Sequence, residues 1–165
     1  WIATQEELDP ARIILTGHSW GGYLILAGLI AYPELFLGGV SISPATLDPE
    51  PDDQPHLIKG FRMAEFGDFA DSEIRAMCEA ISPVTQAHRI QRPLYLIGGS
   101  LDARVHVASA RKIRDGIKAA GGHPWYLEMT GQGHAAYPNS PLEGIYLLGS
   151  VLQFVDEVAA EAKTP

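Results

Sequence analysis

The chain contains 165 residues, 46% hydrophobic and 19% charged, which is the composition of an ordinary globular domain with one sizeable core. Its formal net charge of −8, with no basic run, disfavours binding to nucleic acid or to anionic lipid. No apolar stretch is long enough for a membrane helix, and the single cysteine, Cys78, is typical of a reducing compartment, so we expect a cytoplasmic protein.

The apolar residues alternate between strand and helix patterns along most of the chain. Residues 4–8 are expected to be the end of a helix, because Asp9 and Pro10 follow and cannot continue it. The β-branched run at 12–16 has no polar alternation, which is typical of a buried parallel strand. The remaining predicted elements are a helix at 20–32, strands at 38–43, 93–99 and 125–129, and helices at 107–122 and 141–162. Strands that alternate with helices in this way predict an α/β fold with parallel pairing.

Residues 44–92 do not follow this alternation. They contain several prolines, the acidic pair Asp52 and Asp53, and the phenylalanines Phe61, Phe66 and Phe69. A connection of this length inside a compact domain is usually functional. The phenylalanines are therefore candidates for a substrate-binding wall, and the alternative is a solvated excursion that contains one or two short helices.

A glycine-rich turn, Gly17-His18-Ser19-Trp20-Gly21, joins the first strand to the first helix. The glycines allow strand and helix to approach closely around a strained turn, which exposes the Ser19 hydroxyl at the carboxyl end of the sheet. Backbone N–H groups at the start of the helix point to the same place and can stabilise an oxyanion. We interpret Ser19 as a nucleophile, and a serine that only caps the helix is the alternative.

A serine nucleophile needs a base and a group that orients the base. His134 lies in a glycine-rich loop after the fourth strand and Asp102 in the loop after the third, so both can reach the carboxyl edge of the sheet. Asp102 could instead cap the next helix, and His106 could line a pocket. The order Ser19, Asp102, His134 is that of α/β-hydrolases and favours the catalytic interpretation. Weaker candidates for the base are His18, which is expected to pack or to contact the helix end, His56, His88 and His123.

Three segments carry a resemblance to a known family: GHSWGGY, SPVTQAHRIQRPLYLIGGSLDARV and GQGHAAYP. They resemble the catalytic domain of the prolyl oligopeptidase family of serine peptidases, which has an α/β-hydrolase fold with a mostly parallel sheet and helices on both faces. The resemblance extends over nearly the whole chain but over only the second half of such a domain. It implies that residues 1–165 are the C-terminal part of a single catalytic domain, with an excursion at about 44–92.

The resemblance also implies roles for individual residues. Ser19 would be the nucleophile, His134 the general base and acid, and Asp102 the carboxylate that orients it. Of the family's two oxyanion donors, only the backbone N–H of Trp20 is in these residues, because the other donor is on a loop near the start of the fold. The segment Val105-His106-Val107 lacks a proline that the family usually has there. No metal or organic cofactor is expected.

A peptide or an acyl-peptide is the substrate that the resemblance implies. The same triad would serve a carboxylesterase or a thioesterase, and a non-catalytic binding module with this fold is a further alternative. The family's first strands precede these residues, so we expect an N-terminal segment of the protein or a second chain to pair with 12–16 and complete the sheet.

Overall fold

The computed structural model of the chain describes residues 1–47, 56–134 and 140–161. These ranges contain a parallel sheet of four strands in the order β1-β2-β3-β4. The strands are β1 (Ile14–His18), β2 (Gly38–Ile42), β3 (Leu94–Gly99) and β4 (Trp125–Met129). The helices are α1 (Trp20–Ala31), α2 (His56–Phe66), α3 (Ser72–Ile81), α4 (Val107–Ala119) and α5 (Pro141–Glu161). The alternation of strands and helices therefore produces the parallel α/β fold that the sequence predicts.

Helices cover both faces of this sheet. β3 is buried along its whole length, and its side chains alternate between the two faces. Leu94 and Leu96 pack in one apolar cluster with residues of α1 and α4, whereas Tyr95 and Ile97 pack in a second cluster with Phe154 of α5. β3 therefore lies between two cores, which explains why its sequence has no polar alternation.

α1 is apolar on all sides, but the described residues cover only part of it. Its sequence contains no charged residue, and its side chains Ile25, Leu26 and Leu29 are buried in the first cluster. Leu24 is 64% exposed, and among the described strands β1 pairs with β2 alone. Helices that are apolar all round are usually buried all round.

None of the described helices combines the length and the apolar character that crossing a lipid bilayer requires.

The connection between β2 and β3 contains two helices, α2 and α3. α3 lies against α1, because the Tyr23 hydroxyl donates a hydrogen bond to the carbonyl oxygen of Ile81. Cys78 of α3 is completely buried. Residues 48–55 of the predicted excursion, which include its acidic pair, lie outside the described residues.

The predicted end of a helix at 4–8 is wrong. A single 3₁₀ turn spans Ile2–Thr4, and the N–H of Leu8 bonds to the carbonyl oxygen of Gln5, three residues back. The residues before Asp9 and Pro10 do not make the successive i to i−4 hydrogen bonds that stabilise an α-helix, so there is no helix for these two residues to end.

The first strand lies two residues later than predicted. The apolar run indicated 12–16, whereas β1 spans Ile14–His18. Gly17 pairs with Ser41 across the sheet, although glycine is depleted in strands. The strand therefore continues to the residue directly before Ser19. The other predicted strands and helices of the alternating pattern are confirmed to within a few residues.

Candidate active site

The carboxyl ends of the four strands meet at one edge of the sheet, because all the strands are parallel. Ser19 directly follows β1, Asp102 lies in the loop after β3, and His134 lies in the loop after β4. The structure therefore brings together the three side chains that the sequence singled out as nucleophile, carboxylate and base.

A strained turn presents Ser19 at this edge. Ser19 has φ 59° and ψ −118°, a conformation that residues other than glycine rarely adopt. A Cβ atom at Gly17 would lie 2.5 Å from the carbonyl carbon of Gly21, and one at Gly22 would lie 3.0 Å from the Cα atom of Pro44. Gly21 has open space where a side chain would be. The close approach of strand and helix therefore requires glycine at positions 17 and 22, whereas position 21 contributes its backbone to the contact.

Ser19, His134 and Asp102 form a continuous hydrogen-bonded chain. Ser19 Oγ lies 2.9 Å from His134 Nε2, and His134 Nδ1 lies 2.9 Å from Asp102 Oδ2 and 3.1 Å from Oδ1. An ionised carboxylate only accepts hydrogen bonds, so Nδ1 carries the proton and Nε2 accepts the Ser19 O–H. The arrangement can therefore take the proton of the Ser19 hydroxyl while one tautomer of the imidazole is held in place.

The surroundings of Asp102 stabilise its charge. Its side chain is 1% exposed, and burial alone would raise the pKa of a carboxyl group. Hydrogen bonds from His134 and from the backbone N–H groups of Val105 and Arg104 outweigh burial and lower the pKa of Asp102. Asp102 therefore remains a carboxylate at neutral pH. The residue at the N-cap of α4 is His106, so Asp102 does not cap that helix.

Trp20 is the first residue of α1, and its backbone N–H lies at the amino end of that helix. The first N–H groups of a helix have no partner within the helix and carry a partial positive charge. The Trp20 N–H is therefore available to an anion that forms at Ser19. The indole ring lies nearby on the surface, with its centroid 5.4 Å from that of Tyr23 and 5.6 Å from that of Phe66.

A cavity of about 520 Å³ opens beside Ser19 and His134. Phe61 of α2 lines it with a side chain that is 64% exposed. Phe66 reaches the cavity only through its contact with the ring of Trp20. Phe69 lies under the guanidinium group of Arg62, 4.6 Å from its ring centroid, and is not among the lining residues. The three predicted phenylalanines therefore have different positions, and Phe61 is the one in direct contact with the open space.

The polar residues of the cavity wall are not among the predicted site residues. Arg62 and Glu65 share one face of α2 with Phe61, and a helical interpretation of that segment would have grouped them. Arg104 is two residues beyond Asp102. Its place in the same loop was the signal that could have indicated a position near the site. The wall is completed by Ala45, Thr46 and Val105, the first two of which follow β2 in a stretch without a recognisable pattern.

Two other histidines, His18 and His106, follow or end strands at this end of the sheet. His18 Nε2 is 2.8 Å from the backbone oxygen of His134, and the centroids of the two imidazole rings are 4.7 Å apart. His106 is exposed and is not among the residues that line the cavity. His134 is the histidine whose ring nitrogen lies within hydrogen-bonding distance of Ser19 Oγ.

Known proteins share both the fold and part of the sequence. The chain is 28% identical over 138 residues to dipeptidyl aminopeptidase BIII of Pseudoxanthomonas mexicana, an alignment that covers 81% of the chain and 20% of that relative. The structure is similar to Pyrococcus horikoshii acylaminoacyl peptidase, with a TM-score of 0.73, 20% identity, and 94% of this chain and 25% of that chain covered. It is also similar to Porphyromonas gingivalis dipeptidyl peptidase 4, with a TM-score of 0.76, 19% identity, and 93% and 21% of the two chains covered.

These structural likenesses show the fold, which is that of the α/β-hydrolases. The chain spans about a fifth of the length of the curated relative that it matches. A family model described as the prolyl oligopeptidase family matches residues 1–162, which is nearly the whole chain. On this match, the chain belongs to the prolyl oligopeptidase family.

Proposed function

We propose that the full-length protein is a serine peptidase that cleaves its substrate through an acyl-enzyme on Ser19. The observation that carries this proposal is the hydrogen-bonded chain from Ser19 Oγ through the imidazole of His134 to Asp102, with 2.9 Å on each side of the ring. Membership of the prolyl oligopeptidase family supports it. The names of its relatives, a dipeptidyl aminopeptidase and an acylaminoacyl peptidase, support a peptide or acyl-peptide substrate.

In the proposed reaction, Ser19 Oγ bonds to the substrate's carbonyl carbon while His134 Nε2 takes the hydroxyl proton. The carbonyl electron pair moves to the oxygen, and this oxyanion accepts a hydrogen bond from the Trp20 N–H. The imidazolium of His134, stabilised by Asp102, gives its proton to the leaving amine as the C–N bond breaks. A water molecule, activated by His134 in the same way, then hydrolyses the acyl ester and restores Ser19.

The proposed substrate places the residue next to the scissile bond in the cavity beside Ser19. Trp20 and Phe61 contribute aromatic surface to that cavity, and Arg62, Glu65 and Arg104 contribute charged groups. An aromatic wall suits an apolar side chain, and the charged groups suit the polar backbone of a peptide. An ester of similar size fits the same description, so esterase activity is the alternative to be tested.

We further propose that residues 1–165 are the C-terminal part of a single α/β-hydrolase domain, which a preceding segment or a second chain completes by pairing with β1. Among the described strands β1 has a partner on one side only, and Leu24 of α1 is exposed; both support this, since unpaired strand edges beside apolar surface promote aggregation unless they are covered. The segment or chain that pairs with β1 would supply the second oxyanion donor.

The cytoplasmic location remains a prediction from the single cysteine.

The function is tested with the full-length protein and a fluorophosphonate probe. Mass spectrometry of the labelled protein should find the probe on Ser19, and the Ser19→Ala variant should not be labelled at this site. Turnover of peptide anilides and of simple p-nitrophenyl esters is then compared. Labelling with ester turnover but no peptide cleavage would favour the esterase, and no labelling at all would refute catalysis and favour a binding module.

A further inference from the structure

His18 makes two contacts with the residue proposed as the base. Its Nε2 atom lies 2.8 Å from the backbone oxygen of His134, and the ring centroids are 4.7 Å apart with an interplanar angle of 51°. A carbonyl oxygen only accepts hydrogen bonds, so His18 Nε2 must carry a proton and donate it. His18 is the last residue of β1 and the neighbour of Ser19. The strand that ends at the nucleophile is therefore joined directly to the backbone of the base.

The loop that carries His134 is rich in glycine and needs such tethers. Gly131 has φ 77°, and the glycines at 131 and 133 lose more conformational freedom on ordering than other residues would. On one side, this loop is held to the loop of Asp102: Gly131 N–H donates to Ser100 Oγ at 2.9 Å, and Leu101 N–H donates to the carbonyl oxygen of Gln132 at 2.8 Å. Those bonds hold the His134 loop against the loop of Asp102. The distance between His134 and β1 depends on other contacts.

We propose that His18 is a positioning residue that holds His134 within reach of Ser19 by donating Nε2–H to the His134 carbonyl oxygen. The inference rests on the proposed function, because it assigns His18 a role in setting the distance between nucleophile and base. The bond holds the backbone from which the imidazole projects, and the tilted ring of His18 packs beside that imidazole. A displacement of about 1 Å at a reacting group can lower the rate by about 100-fold.

Three variants of the full-length protein separate the hydrogen bond from the ring packing. His18→Phe keeps a ring but has no donor, so kcat should fall about 10- to 100-fold with little change in KM. His18→Gln has an amide N–H at the position of Nε2, so its kcat should return to within about threefold of the wild type. His18→Asn has its amide one bond too short and should behave like His18→Phe. His88→Phe makes the same exchange at an exposed histidine away from the cavity and is the control, with kcat expected to be unchanged.

The melting temperature of each variant and its rate of labelling by fluorophosphonate are measured alongside kcat. A melting temperature equal to that of the wild type, slow labelling of His18→Phe and rescue by His18→Gln together support the positioning role. Equal kcat in His18→Phe and the wild type, or equal losses in His18→Phe and His18→Gln, would overturn it while leaving the proposed function intact. A wild-type protein that neither hydrolyses peptides or esters nor is labelled at Ser19 would overturn both.

Discussion

Ser19 occupies a backbone conformation, φ 59° and ψ −118°, that costs most residues about 1–3 kcal/mol. Hydrogen bonds on both sides hold it there. Its N–H donates to the carbonyl oxygen of Ile42, and its own carbonyl oxygen accepts from the N–H groups of Tyr23 and Ala45. Bonds to β2, to α1 and to the residues after β2 therefore hold the Ser19 backbone in this conformation, from which its hydroxyl lies 2.9 Å from His134 Nε2.

Removal of either proton-transfer partner should abolish the reaction. Ser19→Ala and His134→Ala are each expected to lower kcat by about 10⁶-fold in the full-length protein, and the double variant should be hardly worse, because the members of a triad act as a unit. Steady-state kinetics on the best peptide substrate measure this. Near-normal turnover in His134→Ala, together with a loss in His106→Ala, would show that the base is assigned to the wrong histidine.

Asp102→Asn should lower both activity and stability, and the loss of stability should depend on pH. The pKa of Asp102 is lower in the folded protein than in the unfolded chain, where it is about 3.9. The ionised carboxylate therefore stabilises the fold at any pH above about 3.9. This stabilisation is lost as the pH falls from there through the pKa of the folded protein. The melting temperature of Asp102→Asn should therefore be clearly below that of the wild type at neutral pH. The difference should shrink below about pH 4.

Asp156→Asn removes an exposed carboxylate from α5 and is the matched control for these melting curves. A difference between Asp102→Asn and the wild type that stays constant from neutral pH to about pH 3 would contradict the proposed ionic role. Activity gives a second reading, because an amide favours the wrong imidazole tautomer and lowers kcat by about 10⁴-fold in a comparable triad.

At the scale of secondary structure, the junction between β1 and α1 depends on particular glycines. Gly17→Ala would bring a methyl group to 2.5 Å from backbone atoms of Gly21, so strand and helix must separate and Ser19 must move. Overpacking of this kind costs about 1–3 kcal/mol. We expect a lower melting temperature and slow fluorophosphonate labelling, with a smaller effect for Gly22→Ala, whose nearest contacts are at 3.0 Å.

Gly21→Ala is the control at the same junction, because a side chain there meets open space. Alanine is the better helix former by about 1 kcal/mol, so the melting temperature should stay the same or rise. Equal damage from Gly17→Ala and Gly21→Ala would show that glycine is required here for backbone conformation and not for close approach.

The helix α2 should influence substrate choice through Phe61. Phe61→Ala is expected to lower kcat/KM by about 10-fold or more for substrates with a large apolar residue beside the scissile bond. It should leave labelling by a small fluorophosphonate and the melting temperature almost unchanged, since the side chain is 64% exposed. Phe69→Ala, which removes the ring under Arg62, is the comparison and should act on stability more than on selectivity. Loss of stability in Phe61→Ala without a change in selectivity would make Phe61 a packing residue.

Elements with a strong local pattern could be predicted from the sequence, and those that depend on distant partners could not. β3 follows from a continuous apolar run and α4 from helical spacing of its apolar residues, and the positions of Ser19, Asp102 and His134 follow from the strands that precede them. The extension of β1 through Gly17 could not be predicted, because the pairing with β2 stabilises it against its own propensity. The donor bond from His18 to His134 joins residues 116 positions apart and has no local signal.

For the molecule as a whole, the expected behaviour of residues 1–165 expressed alone is aggregation or inactivity. In the part of the chain that the structure describes, β1 pairs on one side only. Leu24 of α1 is exposed, and α5 exposes Leu142, Ile145 and Leu148. Unpaired strand edges next to apolar surface associate with other chains. Gel filtration of residues 1–165 and of the full-length protein measures the difference. A monomeric, active protein made only of residues 1–165 would refute the proposal that another segment completes the sheet.

The buried thiol of α3 makes it possible to observe one part of the molecule separately from the rest. Cys78 is 0% exposed, and burial raises the pKa of its thiol, so an alkylating reagent cannot attack it while α3 keeps its place in the fold. Alkylation therefore requires α3 to move away from its neighbours, either by local opening or by unfolding of the whole domain. If Cys78 is alkylated faster than the backbone amides of β3 exchange with deuterium, α3 opens while the sheet stays folded, and the connection between β2 and β3 is a less stable unit than the strands it joins.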